Sequence, residues 1–194
     1  MTVRQLAYLG FEVSDLEAWA SFGTEVLGME KVEEAADGGF KLRMDRRQWR
    51  LAVHPGPADD LAYVGWEVSD LLSPIEALEA RGVEVTWRQD VAEERSVESL
   101  CFFQDPAGVR TELVMGSAQY LEPFQSPKLV GRFVADHLGL GHVVLTANDK
   151  AESRRFYEET LGFHLSDTIV TRYFGYDIDM DFFHANARHH SLAF

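Results

Sequence analysis

One pattern occurs three times along the chain, and such a repeat constrains the fold more than composition does, because every copy must take up the same supersecondary structure. "YLGFEVSDLEAW" at 8–19 returns 55 residues later as "YVGWEVSDLLSP" at 63–74, and again as "GLGHVVLTANDKAES" at 139–153. Each copy opens with an alternating, β-rich run and passes through capping residues into a helix. Ser14 and Glu17 have capping-box spacing in the first copy, Ser73, Pro74 and Glu76 offer N-cap, N1 and N3 in the second, and Asp149 with Glu152 does the same in the third. All three helices are expected to stop on a glycine, at Gly28, Gly82 and Gly162.

Shorter strand candidates follow each helix: "FKLRM" and "WRLAV", then "LCFFQ" and "RTELVM" around the turn "DPAG", then "MDFFH" and "HHSLAF". The expected fold class is therefore α+β, built from tandem βαβββ units. One such unit cannot cover its own sheet, so units should pair. The polar stretch "GSAQYLEPFQSPKLVGRFVADHLG", with Pro123 and Pro127, reads as a linker. The expected organisation is a pair of units over 1–115, a linker over 116–138, and a third unit over 139–194 that stands alone.

Repeats supply an internal control, since a position that packs in one copy and changes chemistry in another is not answering the scaffold. Aligned on the strand glycines, Phe11 and Trp66 occupy the slot of His142. Aligned on their Leu-Ala pairs, "RRQWRLAV" and "ARHHSLAF" place His190 on Trp49 and His189 on Gln48. Two large aromatics have thus become imidazoles in the third copy, and imidazole is a metal ligand and a proton carrier near neutrality. His54, His137 and His164 read as surface or structural, and His184 is ambiguous.

The βαβββ repeat, "GLGHVVL" at the head of the third copy and "NARHHSLAF" at its end resemble the type I extradiol dioxygenases of the vicinal oxygen chelate superfamily. The resemblance covers the whole chain and implies the glyoxalase/bleomycin-resistance/extradiol dioxygenase fold, with three of an expected four units present. It implies cleavage by O2 of a catechol of the dihydroxybiphenyl kind, at Fe(II) held by two histidines and a glutamate, with Mn(II) as a possible substitute. By the same resemblance His142 matches a metal ligand and His190 an acid-base residue of the pocket. Val144, Phe182 and Ala193 match its lining, His189 a structural position, and Glu112 a relic of the carboxylate slot. The remaining ligands belong to a fourth unit beyond Phe194. A truncated or cleaved piece, or completion by a second polypeptide, is therefore expected, and this stretch alone is expected to be inactive. The alternative is a metal-free protein of the bleomycin-resistance type that sequesters small molecules in an aromatic cleft, to which the 12% aromatic content is suited.

A net charge of −14, from 18 Lys and Arg against 32 Asp and Glu, argues against nucleic acid as a partner. No apolar run reaches the roughly 20 residues that span a bilayer, and "MTVRQLAYLG" lacks a signal pattern, so no membrane association and a cytoplasmic address are expected. Cys101 has no partner for a disulfide and sits in an apolar strand candidate. An apolar sheet face left open in the third unit leads to the expectation of a homo-oligomer.

Overall fold

A unit that begins and ends on strands has to close on itself, and each unit here does so in the same way. The computed structural model describes residues 3–194. In the first unit β1 (Val3–Val13) leads to α1 (Leu16–Ser21), which continues as a π-helical turn over Phe22–Val26, and then to β2 (Glu30–Glu34), β3 (Phe40–Arg43) and β4 (Leu51–Pro55). The second unit holds β5 (Asp60–Val68), α2 (Leu72–Ala80), β6 (Thr86–Trp87), an extra helix α3 (Gln89–Arg95), β7 (Ser99–Gln104) and β8 (Arg110–Met115). The third holds β9 (Val143–Val144), α4 (Lys150–Glu159), β10 (His164–Tyr173), β11 (Tyr176–His184) and β12 (Leu192–Ala193). In every unit the first strand pairs in parallel with the last: β1 with β4, β5 with β8, β9 with β12.

The first two units merge into one eight-stranded sheet, ordered β2-β3-β4-β1-β5-β8-β7-β6, through the antiparallel pair of β1 and β5. The third forms a separate sheet ordered β10-β11-β12-β9, which repeats the first half of the larger one. Where β1 has β5 on its other side, β9 has no strand among the described residues.

The helix starts are set by aspartates in all three units. Asp15 accepts from the Ala18 N–H at 2.9 Å, Asp70 from Ser73 at 2.9 Å and Asp149 from Glu152 at 2.9 Å, each satisfying an amide that the first turn leaves without a partner. The expectation at Asp149 holds. The expected caps Ser14 and Ser73 are displaced by Asp15 and Asp70, because Ser14 is taken by Asp59, which accepts from both its amide and its hydroxyl at 2.7 Å. Gly28, Gly82 and Gly162 end the helices at φ of +72°, +74° and +75°, backbone that a Cβ would strain.

The sequence patterns miss β2 and β10, whose charged and polar residues hide their strand character; β10 is held by a long antiparallel hairpin with β11. They also overextend the last strand. Residues 186–190 form a turn in which the Asn186 side chain accepts from the Arg188 amide at 2.9 Å and donates to the Arg4 carbonyl at 2.8 Å, and pairing starts only at Leu192.

The third unit does not stand apart. Its helix joins the main core, where the Phe163 ring meets Trp66 edge-on at 4.9 Å, Phe156 lies 5.9 Å from Phe103, and the buried Tyr157 hydroxyl donates to Asp105 at 2.9 Å. The linker is fastened to the rest by arginines that donate to its carbonyls: Arg43 to Glu122, Arg47 to Ser117, Arg50 to Asp136, and Arg188 to Val134. Arg50 is fully buried and forms a two-pronged contact with buried Asp45, at 2.9 and 2.5 Å. No helix among the described residues is long and apolar enough to cross a membrane.

Replacing Arg50 with Met leaves the Asp45 carboxylate buried without its counterion, and the expected loss is about 3–5 kcal/mol in urea denaturation; a loss below about 1 kcal/mol would show that the pair carries no such weight. Burial pushes the Cys101 thiol up to about 12, so little thiolate exists near neutral pH. Alkylation of Cys101 at pH 8 should therefore follow unfolding, and rapid labelling of the native chain would contradict this placement.

Candidate functional site

Strand register gathers the third unit's marked residues onto one face. β12 lies between β9 and β11, with Val144 opposite Ala193 and Ala193 opposite Phe182, so these three form one row across the sheet. Val143, Leu192 and Phe183 form the next row, point the other way and are buried in the core. On the first row's face Val144 is 54% exposed, Phe182 is half-buried and Ala193 is buried. His142, two residues before Val144, shares that face, and its ring centroid lies 4.5 Å from that of His190. His190 in turn meets the Phe182 ring at 5.1 Å. Strict alternation back from Leu192 would have turned His190 into the core; the turn over 186–190 releases it from that rule.

A hydrogen bond orients His190. The Nδ1 atoms of His189 and His190 lie 3.0 Å apart, so one of them carries a proton and Nε2 of His190 is left free. His189, expected to be structural, thus makes a direct hydrogen bond with its neighbour. Its own carbonyl accepts from the Ser166 hydroxyl at 2.5 Å, and with that proton committed Ser166 accepts from His184 Nδ1–H at 2.6 Å. Partial burial, then the nearby His142, His189 and Arg188, lower the pKa of His190 below the usual imidazole value. His54 has a different employment, bound by Asp37 at 2.7 Å and the Tyr63 hydroxyl at 2.9 Å.

As a metal centre the face is partial. His142 makes no hydrogen bond among the described residues, so it is available as a donor, but no group of three His, Cys, Asp or Glu that could hold an ion occurs among them. A mononuclear iron site of the two-histidine, one-carboxylate kind needs two more ligands than this face supplies.

The first two units show what else can stand at the same positions. Aligned on the cap aspartates rather than the glycines, His142 corresponds to Tyr8 and Tyr63, not to Phe11 and Trp66. Register agrees, since Leu9 pairs with Leu51 as Val143 pairs with Leu192. The ring of Tyr8 lies 4.5 Å from Trp49, the same separation as His142 from His190. The glycine alignment fails because Gly10 and Gly65 exist for a local reason: a Cβ on Gly10 would lie 2.1 Å from the Tyr63 ring, and one on Gly65 2.3 Å from that of Tyr8. Gly141 has nothing within 4 Å.

Glu112, in line with Gly65, is fully buried and already occupied. It accepts from the Tyr8 hydroxyl at 2.7 Å, Arg95 at 3.1 Å and Arg110 at 3.0 Å. Burial opposes the charge on Arg95, but Tyr63, Glu112 and Tyr8 around it outweigh that and raise its pKa above the usual guanidinium value. Burial and then Glu112 raise that of Tyr8. Glu112 is thus a satisfied acceptor and not an open ligand.

Residues 6–56 match the family described as Dihydroxybiphenyl dioxygenase BphC D1, and residues 139–194 match the Glyoxalase/Bleomycin resistance protein/Dioxygenase superfamily. The chain is 40% identical over 200 residues to biphenyl-2,3-diol 1,2-dioxygenase of Paraburkholderia xenovorans, covering all of this chain and 66% of that protein. It is 37% identical over 207 residues to an iron-dependent extradiol dioxygenase of Rhodococcus jostii, covering all of this chain and 68% of the other. A crystal structure of catechol 2,3-dioxygenase superposes with a TM-score of 0.91 at 35% identity, over 100% of this chain and 70% of that one. The chain thus spans about two thirds of the length of the relatives it matches.

Gly10→Ala drives a methyl group into the buried Tyr63 ring and should cost about 1–3 kcal/mol by urea denaturation, as overpacking does. Gly131→Ala, with open space around it, should cost little by comparison. Equal effects would show that the tyrosine contact does not decide the glycine.

Proposed function

The chain belongs to the type I extradiol dioxygenases of the vicinal oxygen chelate superfamily, and from that we propose that it serves the O2-dependent opening of an aromatic ring beside two vicinal hydroxyls, with His142 as one ligand of a non-haem Fe(II). The observation that carries the reading is the common face of His142 and His190, with ring centroids 4.5 Å apart, in the only unit that has imidazoles at these positions. The other iron ligands lie outside the described residues. Iron, when bound, supplies the electron relay between diol and oxygen. Iron is preferred to manganese because a relative's name specifies it, while histidine and carboxylate donors accept both.

The chain's own residues position the diol and carry its proton. Phe182, Val144 and Ala193 give the ring an apolar floor, so that the hydroxyls are held toward His142 rather than exchanged with water. His190 takes the proton of one hydroxyl on Nε2 and returns it to the developing product. For that task its Nδ1–H donates to Nδ1 of His189, which fixes the tautomer. The substrate class is a catechol of one or two rings, in keeping with the biphenyl-diol named for the Paraburkholderia relative. The division at 1–115, 116–138 and 139–194 is retained in this reading, with the first two units as scaffold. Sequestration of a small molecule without metal requires neither imidazole, and the pair counts against it.

The test joins this chain to the last third of the Paraburkholderia relative, loads Fe(II) anaerobically, and follows the yellow ring-opened product of 2,3-dihydroxybiphenyl. Turnover is expected in the joined protein. His190→Ala should keep its iron and lose roughly 10²–10⁴-fold in turnover, whereas His142→Ala should lose the iron. A folded, iron-loaded protein that opens no catechol, or a His190→Ala variant of undiminished turnover, would sink the reading. Removing the acceptor with His189→Ala should lower kcat and shift its pH profile while the iron content stays constant; an unchanged profile would deny His189 its positioning role.

A further inference from the structure

Away from the histidine face the linker encloses a cavity of about 490 Å³, of the size that holds a one- or two-ring molecule. Its frame is rigid. The loop before β4 is tied to the linker by a bridge between Arg47 and Gln119, by Gln48 N–H to Ala118 at 3.2 Å, and by Tyr120 N–H to Arg46 at 2.8 Å. Behind it lies the buried Asp45–Arg50 pair, whose Asp45 also accepts from the Asp136 amide at 2.9 Å. Four arginines are spent on the linker's carbonyls, but two that line this cavity are not: Arg46 and Arg132 are exposed, and neither guanidinium has a partner among the described residues. His137 stands at the same wall, and Phe124 and Phe133, 6.0 Å apart, give it an apolar side.

Of the lining carboxylates, Asp45 is neutralised by Arg50, which leaves Asp136 against two free cations in a chain of net charge −14. Exposed arginines without a partner among the described residues also occur at Arg4 and Arg155, but Arg46 and Arg132 stand together at one cavity beside an aromatic wall. We infer that this cavity binds a small aromatic carboxylate, its anionic group between Arg46 and Arg132 and its ring against Phe124 and Phe133. Guanidinium suits a carboxylate through paired N–H donors, and the aromatic wall selects a flat apolar body. The site is separate from the histidine face and independent of the activity proposed there.

The test is titration of the 194-residue chain with benzoate, followed by calorimetry and by NMR shifts. Saturable one-to-one binding is expected, weakened about tenfold or more in Arg132→Gln and in Arg46→Gln, each a loss of one charge-assisted contact. Both side chains are exposed, so the variants should fold as the parent does. Added salt should weaken binding, and benzyl alcohol should not compete. Absence of saturation at millimolar benzoate, binding indifferent to both arginine substitutions, or binding abolished by His142→Ala would overturn the assignment.

Discussion

The parallel pairing of first and last strands within each unit is the constraint on which the rest depends. Parallel neighbours require a long crossover, and here a helix and two further strands supply it. Pairing Val143 with Leu192 and Val144 with Ala193 brings His142 and His190, distant in sequence, to one end of one sheet. The same pairing brings Tyr8 to Trp49 in the first unit at the same ring separation. The scaffold thus offers a fixed pair of positions, and side-chain chemistry alone distinguishes a packed pair from a reactive one.

The first two units show how such positions are silenced. Tyr8, Trp49 and Tyr63 fill the space, Gly10 and Gly65 make room for the phenol rings, and Arg95 with Arg110 satisfies the buried Glu112. A buried carboxylate without such partners would be costly, so this network holds together or fails together. In the third unit Val144 stands where Gly10 stands and is 54% exposed, so the face is open. An open face with an unpartnered imidazole permits ligand chemistry that the filled pair forbids.

Arginine governs the joint between the halves. Linker backbone that leaves regular structure must still satisfy its carbonyls, and Arg43, Arg47, Arg50 and Arg188 each donate to one of them. Together with the ring contacts of Phe163 and Phe156 they bind the third unit to the first two, so that the histidine face is presented on a continuous core.

The sequence alone determined the repeat, the α+β class, the glycine helix ends and the Asp149 cap, because these depend on residues close together in the chain. The repeat also marked His142 and His190, since it reveals where one copy departs from the others, while Val144, Phe182 and Ala193 were suggested by the family resemblance alone. It misassigned the counterpart of His142, because Gly10 and Gly65 answer to tyrosine rings in the neighbouring unit, a contact that local pattern does not carry. β2 and β10 stayed hidden because hydrogen bonding to partner strands outweighs their polar composition. That His190 turns onto the face of His142, that His189 hydrogen-bonds to it, and that the third unit shares the main core were decided only by tertiary structure. Each depends on groups far apart in sequence, brought within bonding distance by strand register and by the packing of α4.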